Sequence, residues 1–268
     1  MPGPLYRQIA DDLRHQIDSG DMEEGKQIPT EDQLMERHHA SRNTVRAAIK
    51  ELTTRGSVYT LHGKGTFVTE QVKPIVTTLT TDPETGSGGG EGLVYTAEVA
   101  ASGRAATTSD PRIEVQKARP QIADSLRIPM GTDVISRHER RFVDGRPWSL
   151  QTSFYPKKLA KQAPRLLDAD SIQEGTVAYL RKSGIQQAGY RDAIEVRPPD
   201  ESETDFFGLP VDGRIQVVEI FRVAFDQEKQ RVRLTITVYR ADRNRFIINV
   251  GEVPISDSLM PGAGGSGA

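Results

Sequence analysis

The sequence predicts an α+β protein in two parts: three short helices closed by a β-hairpin, then a larger antiparallel sheet with helices packed on it. Three observations carry that prediction. Apolar residues recur three and four positions apart in successive N-terminal runs. The run Val58-Tyr59-Thr60-Leu61, a His62-Gly63-Lys64-Gly65 loop and Thr66-Phe67-Val68 form a hairpin pattern. Far downstream, Arg231 to Tyr239 alternates strictly, with Val232, Leu234, Ile236 and Val238 on one face and Arg231, Arg233, Thr235, Thr237 and Tyr239 on the other. A length of 268 residues accommodates two domains.

In the first part, residues 1–69, Tyr6, Ile9, Leu13 and Ile17 share one helix face, and Gly20 ends that helix. Thr30 followed by Gln33 has the form of a capping box, so a second helix starts there. Leu34 and Met35 face inward, and His38-His39-Ala40 makes a short turn. Ser41 is a good N-cap for a third helix with a buried stripe of Val45, Ala48, Ile49 and Leu52, stopped by Gly56. Helix, helix–turn–helix and hairpin in that order make a winged helix-turn-helix, with the third helix in the major groove and the hairpin as wing.

That geometry assigns roles to specific side chains. Arg42, Asn43, Thr44 and Arg46 lie off the apolar stripe near the start of the third helix, where base edges are met; arginine suits guanine and asparagine suits adenine. Ser41, Lys64 and the wing glycines Gly63 and Gly65 suit phosphate. Taken alone, SRNTVR is equally well a solvated helix face. Charge favours DNA. The chain holds 35 basic and 37 acidic residues, yet residues 37–68 hold Arg37, Arg42, Arg46, Lys50, Arg55 and Lys64 against Glu51 alone.

Residues 70–92, with a Gly/Ser cluster at their end, have the composition of a linker. Residues 93–254 form the second domain, and 255–268, ending PGAGGSGA, a disordered tail. VISRHERRFV, Asp144-Gly145 and RPWSLQTSFY are two strands around a tight turn. Helices are expected around 157–168, 174–183 and 200–207, giving an antiparallel sheet with helices on one face. A faint echo relates Leu126, Ile128, Pro129 and Arg141 to Phe207, Leu209, Pro210 and Arg222, so the sheet is expected to comprise two similar halves. The polar face of Arg231–Tyr239 is either a solvent face or the lining of a cleft. Arg141 and Arg222 have Glu139 and Glu219 as candidate ion-pair partners, and Trp148 is expected to pack.

The chemistry excluded is equally informative. With no cysteine there is no disulfide, thiolate metal site or cysteine nucleophile. The start MPGPLYRQIADDL lacks the basic-then-apolar form of a signal peptide, and no apolar run reaches the ~18 residues of a membrane span, so a cytoplasmic, nucleoid-associated protein is expected. The five histidines show no metal-binding spacing. No cofactor motif, nucleophile elbow or acid–base pair emerges, so no enzyme is expected.

These motifs carry a resemblance. PLYRQIADDLRHQIDSG, GKQIPTEDQL, SRNTVRAAIKEL and HGKGTFV resemble the DNA-binding domain of GntR-type bacterial regulators. IADSLRIPMGTDV, ERRFVDGRPW, EGTVAYL and TVYRADRNRF resemble the effector-binding UTRA domain of the HutC-type subfamily, which has a chorismate-lyase-like fold. The resemblance implies DNA contacts at Ser41, Arg42, Asn43, Arg46, His62 and Gly63, with Glu31 and Asp32 opening the helix that abuts the backbone. Asp32 stands where many relatives carry arginine, and His39 replaces the usual turn glycine. For the effector site it implies Glu139, Arg141, Gln151, Thr176, Tyr179, Arg233 and Tyr239. Glu139, Gln151 and Arg233 depart from the pattern of relatives that bind phosphorylated sugars, while Arg141 and Arg233 with Thr176 suit a carboxylate or phosphate.

The expectation is a dimeric, ligand-responsive regulator, a repressor on an inverted-repeat DNA operator, with a small-molecule effector for which an anionic metabolite is the candidate. The alternatives are a DNA-binding dimer whose second domain only dimerises, and an enzyme processing a small acid fused to a DNA-binding head.

Overall fold

A computed structural model describes residues 3–61, 63–69, 74–80, 92–209 and 215–250. The chain divides into two compact units, Met1–Lys73 and Pro74–Ala268.

The first unit consists of α1 (Leu5–Asp18), α2 (Glu31–His38), α3 (Arg42–Thr54) and an antiparallel hairpin of β1 (Val58–Leu61) and β2 (Gly65–Val68). Ile9, Leu13, Leu34, Val45, Ala48, Leu52, Val58 and Val68 form one buried core, with Tyr6, Ile17, Met35 and Ile49 at its margin. The capping box is formed: Gln33 N donates to Thr30 Oγ1 at 3.3 Å, and Thr30 N donates to Gln33 Oε1 at 2.8 Å. His39 closes α2 in the left-handed region, at φ 48 and ψ 43, which costs a residue with a Cβ about 1–2 kcal/mol.

One feature was not legible in the sequence. The stretch before α2 runs beside the wing: Gly25 N donates to Val68 O at 3.0 Å, Val68 N to Lys26 O at 2.8 Å and Ile28 N to Thr66 O at 2.9 Å. The approach is tight. Gly65 has φ +121, and a Cβ there would lie 2.2 Å from Gln27 Nε2. The backbone conformation therefore requires glycine at Gly65, and a Cβ there would also displace the Gln27 side chain.

The second unit is built on a seven-stranded sheet. Its strands are β4 (Ala106–Thr108), β5 (Arg112–Lys117), β6 (Asp133–Val143), β7 (Arg146–Pro156), β8 (Gln187–Arg197), β9 (Val217–Asp226) and β10 (Arg231–Arg240), following a short β3 (Ile75–Thr78) outside it. The order is β4-β6-β7-β10-β9-β8, with β5 also on β6, and every pairing is antiparallel. Asp144 at φ 51 and Gly145 at φ 73 form the expected tight turn of the β6–β7 hairpin.

Helices α5 (Pro120–Leu126) and α7 (Glu201–Phe207) each connect an outer strand to the next one in. The halves thus repeat one order, β5-α5-β6-β7 and β8-α7-β9-β10, and meet at the β7–β10 pair. The echoed arginines occupy matching places, Arg141 on β6 and Arg222 on β9. Ile122, Ala123 and Leu126 of α5 pack on Val134, Phe154 and Leu234, and Phe207 of α7 packs on Val217 and Val238.

The opposite face is enclosed at both ends. At one end lie two 3-10 turns, Lys157–Lys161 and Pro164–Leu167, where one helix was expected, together with α6 (Thr176–Lys182); Leu166, Tyr179 and Leu180 pack there on Ile135, Tyr155 and Ala224. At the other end α4 (Gly92–Ala101), which the sequence did not predict, lies beside the parallel pair of β3 and β11 (Asn244–Ile247). β3 falls within the stretch whose composition is that of a linker; Ile75 and Thr77 are buried. Residues 81–91 of that stretch, and the tail 255–268, lie outside the described residues.

Alternation fails at one point. A bulge between Arg231 and Arg233 shifts the register of β10. Val232 packs with Ile135 and Tyr155, away from Leu234, while Arg231 donates to the carbonyls of Asp124 (3.1 Å) and Ser125 (2.8 Å) at the end of α5. Arg231 therefore does not share the polar face of Arg233.

Candidate functional site

Two sites are assembled, one in each unit. In the first, Ser41 caps α3 and accepts a hydrogen bond from Thr44 N at 3.2 Å; its hydroxyl also lies 2.8 Å from that of Thr44. Val45 points into the core, so Arg42, Asn43 and Arg46 are turned to solvent. The two arginines are held. Arg46 Nε lies 2.9 and 3.0 Å from the Glu31 carboxylate oxygens, and Arg42 Nη2 lies 2.8 Å from Asp32 Oδ1. The Glu31 carboxylate raises the Arg46 pKa further above its ordinary value. In this arrangement the Glu31 carboxylate holds Arg46 and the Asp32 carboxylate holds Arg42. Exposed pairs of this type are weak and readily exchanged. On the wing, Gly63 and Lys64 are exposed and Gly65 is half-buried beside Gln27. His62 lies outside the described residues.

The second unit contains a cavity of about 970 Å³ over the face of the sheet opposite α5 and α7, between α4 and α6. Of the residues implied for an effector site, Glu139, Arg141, Gln151, Thr176 and Arg233 line it. Two do not. Tyr179 is core, its hydroxyl accepting from Arg165 N at 3.1 Å, and Tyr239 is buried with Leu79, Val218 and Ile220 against the Phe246 ring at 5.1 Å. The polar face of β10 is not a solvent face: Arg233 lines the cavity at 3% exposure, and Thr235 and Thr237 are buried at 1% and 5%.

The cavity's arginines differ in how their charge is met. Arg222 donates through Nε and Nη2 to both oxygens of Asp192, at 2.7 and 2.6 Å, and lies 3.8 Å over the Tyr190 ring. Glu219, its sequence-expected partner, pairs instead with Arg197 at 2.7 Å. Arg137 donates to the carbonyls of Arg165, Leu166, Asp168 and Asp170, at 2.8 to 3.2 Å, and burial lowers its pKa. Arg233 donates to Gln187 Oε1 at 3.1 Å. Arg141 is 2% exposed, stacks 4.8 Å from the Tyr95 ring, and has a buried Nη1 without a hydrogen-bond partner. No ion pair joins it to Glu139 or any other carboxylate among the described residues.

Sequence reasoning missed Arg137, Gln187, Tyr190 and Asp192. The signal for Arg137 was present: Arg137, Glu139 and Arg141 alternate on β6 and must share a face. The others come from β8, which was not recognised as a strand. Trp148 packs as expected, donating to Asn244 Oδ1 at 2.9 Å. No cluster of histidines and carboxylates able to hold a metal occurs among the described residues.

With both geometries in view, the chain compares clearly with known proteins. Residues 5–68 match the model of bacterial regulatory proteins, gntR family, and residues 101–245 match the UTRA domain. It is 26% identical to the HTH-type transcriptional regulator GgaR of Escherichia coli over 91% of this chain and 90% of that one. It is 23% identical to the HTH-type transcriptional repressor NagR of Bacillus subtilis, over 92% and 94%. The crystal structure of PhnF from Mycobacterium smegmatis superposes with a TM-score of 0.56 at 24% identity, over 91% and 99%.

Proposed function

This chain belongs to the gntR family of bacterial regulatory proteins, a transcriptional regulator joining a DNA-binding helix-turn-helix to a UTRA effector domain, and on that premise we propose that it is a repressor released from its operator by a small metabolite. The observation that carries the proposal is the cavity, which holds buried charge that a merely structural sheet face would exclude. It acts in the cytoplasm, as a homodimer whose two heads occupy the halves of an inverted repeat, because two-fold protein symmetry is mirrored in the operator. Arg42, Asn43, Thr44 and Arg46 meet base edges; Ser41, Gly63, Lys64 and Gly65 hold the backbone; His62 also contacts the DNA; Glu31 aims Arg46. The metabolite shifts operator occupancy only by binding the DNA-competent and DNA-released forms unequally.

Selection from random duplexes supplies the operator for the test. Arg46→Ala is expected to weaken operator binding about ten- to hundredfold while leaving binding to unrelated duplex nearly unchanged. Metabolites that raise the melting temperature of the wild type are expected to lower operator occupancy at fixed salt. Wild-type operator affinity in Arg46→Ala removes the base-reading assignment, and a bound metabolite without effect on occupancy removes the gating.

A further inference from the structure

We propose that the effector is a small zwitterion whose anionic group sits on Arg141 and whose ammonium group sits on Glu139. The proposal rests on the preceding reading of the cavity as an effector site and names the ligand's chemistry. Its basis is an accounting of charge over the cavity wall.

Five arginines line the cavity; Arg181 is exposed to solvent, and of the four buried ones three have partners within the protein. Arg137 is taken up by four backbone carbonyls, Arg222 by Asp192, and Arg233 by Gln187. Arg141 is buried without a carboxylate, and its only close partner among the described residues is the Tyr95 ring. A guanidinium in that setting favours an anion from outside, held by its in-plane donors.

The same accounting leaves one carboxylate over. Asp192 is matched by Arg222, and Glu174 by Arg165 at 3.4 Å and Lys182 at 3.7 Å. Glu139 lines the cavity and has no hydrogen bond or close ion pair among the described residues, the charge of Arg137 acting on it only at longer range. Arg137 and Arg141 flank it on the same strand face, yet neither closes on it. Residues two apart on a strand have their Cβ atoms about 7 Å apart, so each of Glu139 and Arg141 can serve its own group on one compact ligand. A carboxylate beside the anion seat would repel a ligand carrying only negative charge, and a plain amine would find Arg141 opposed to it. Only a ligand with both signs satisfies both side chains. Gln151, directly opposite Glu139 on β7, adds an amide donor and acceptor for a neutral polar group.

The test is a thermal-shift and calorimetric screen of the full chain at constant ionic strength. The probes are amino acids and amino-sugar phosphates, their N-acetylated or deaminated counterparts, simple amines and neutral polyols. Zwitterions are expected as the ligands, and acetylating or removing the amine is expected to weaken binding at least tenfold in the wild type. Glu139→Gln is expected to abolish that discrimination, binding both members of a pair alike, and Arg141→Gln to abolish binding of both. If the ligands found are plain anions that bind Glu139→Gln as tightly as wild type, the zwitterion assignment falls and the effector site stands. If no probe of any class binds while operator binding is intact, the assignment falls together with the effector reading.

Discussion

Arg141→Met and Arg137→Met should change the stability of the ligand-free protein in opposite directions. Both arginines lie on one face of β6, and both are 2% exposed. They differ in their partners. Four carbonyls accept from Arg137, and removing the guanidinium leaves them to find water in a buried place, at about 1–3 kcal/mol for each that fails. A net loss of about 3 kcal/mol or more is expected. Arg141 has the Tyr95 ring and no hydrogen-bonded acceptor among the described residues. Replacing even a paired set of buried charges by apolar side chains of similar volume is often neutral or stabilising by about 1–4 kcal/mol, and an unpaired guanidinium offsets less of its desolvation cost than a paired one. The lost cation–π contact takes back about 0.5–2 kcal/mol, part of which a methionine sulfur on the same ring restores. The expected net is a gain of about 1–2 kcal/mol, or about 3–6 °C for a domain of this size. Melting curves and urea titrations of both variants against wild type measure it, with the slope of the titration checked for constancy. If Arg141→Met melts below wild type by as much as Arg137→Met does, Arg141 is a structural residue with internal partners, and the inferred anion seat is wrong.

Four further outcomes follow from the geometry. Lys64→Ala should weaken binding to every duplex alike and reduce the magnitude of the salt slope by about one unit, as measured in salt titrations; loss confined to one sequence would mean the wing contacts bases. His39→Gly should stabilise the chain by about 0.5–1 kcal/mol in denaturant titrations, because relief of the left-handed strain exceeds glycine's entropic penalty. Burial holds the Glu98 carboxyl above its ordinary value of 4.5, so between that value and the raised one the folded state binds the extra proton. Stability from this group is therefore present at low pH and lost as pH rises through the window; Glu98→Gln should flatten that fall in melting temperature, and an unchanged profile would remove the assignment. Thr108→Asp should hold Arg141 internally, raising the melting temperature while abolishing ligand shifts; retained shifts would show that the anion does not depend on a free Arg141.

What the sequence disclosed follows the range over which its signals act. α1, α2 and α3 are legible because stripes such as Val45, Ala48 and Leu52, and caps such as Thr30 with Gln33, are set by neighbours three or four residues away. The β6–β7 hairpin is legible because Asp144-Gly145 fixes its turn. α4 was missed because Val94, Tyr95 and Val99 follow a Gly/Ser stretch that dominates local composition. The placement of Arg231 failed on a single bulge, which exchanges faces without altering the sequence alternation. The partners of the site's charges were beyond reach. Asp192 and Arg222 are 30 positions apart, and Tyr95 reaches Arg141 from a helix that no pattern announced.

The repeat in the sheet explains why one such site exists and not two. Arg141 and Arg222 occupy equivalent strands of the two halves, and each stacks on a tyrosine. In the second half the cross-strand neighbour of Arg222 on β8 is Asp192, which closes the guanidinium bidentately. In the first half the cross-strand neighbour of Arg141 on β4 is Thr108, which lines the cavity and brings no charge. The difference between a structural arginine and one open to a ligand therefore comes down to a single cross-strand position. Paired residues in a sheet set each other's electrostatics as they set each other's packing. A sheet with Asp at both positions would be more stable and would lack an anion seat. One with Thr at both would carry two uncompensated buried charges in one cavity. The arrangement present keeps one half as scaffold and leaves the other short of one negative charge, the charge that the proposed effector supplies.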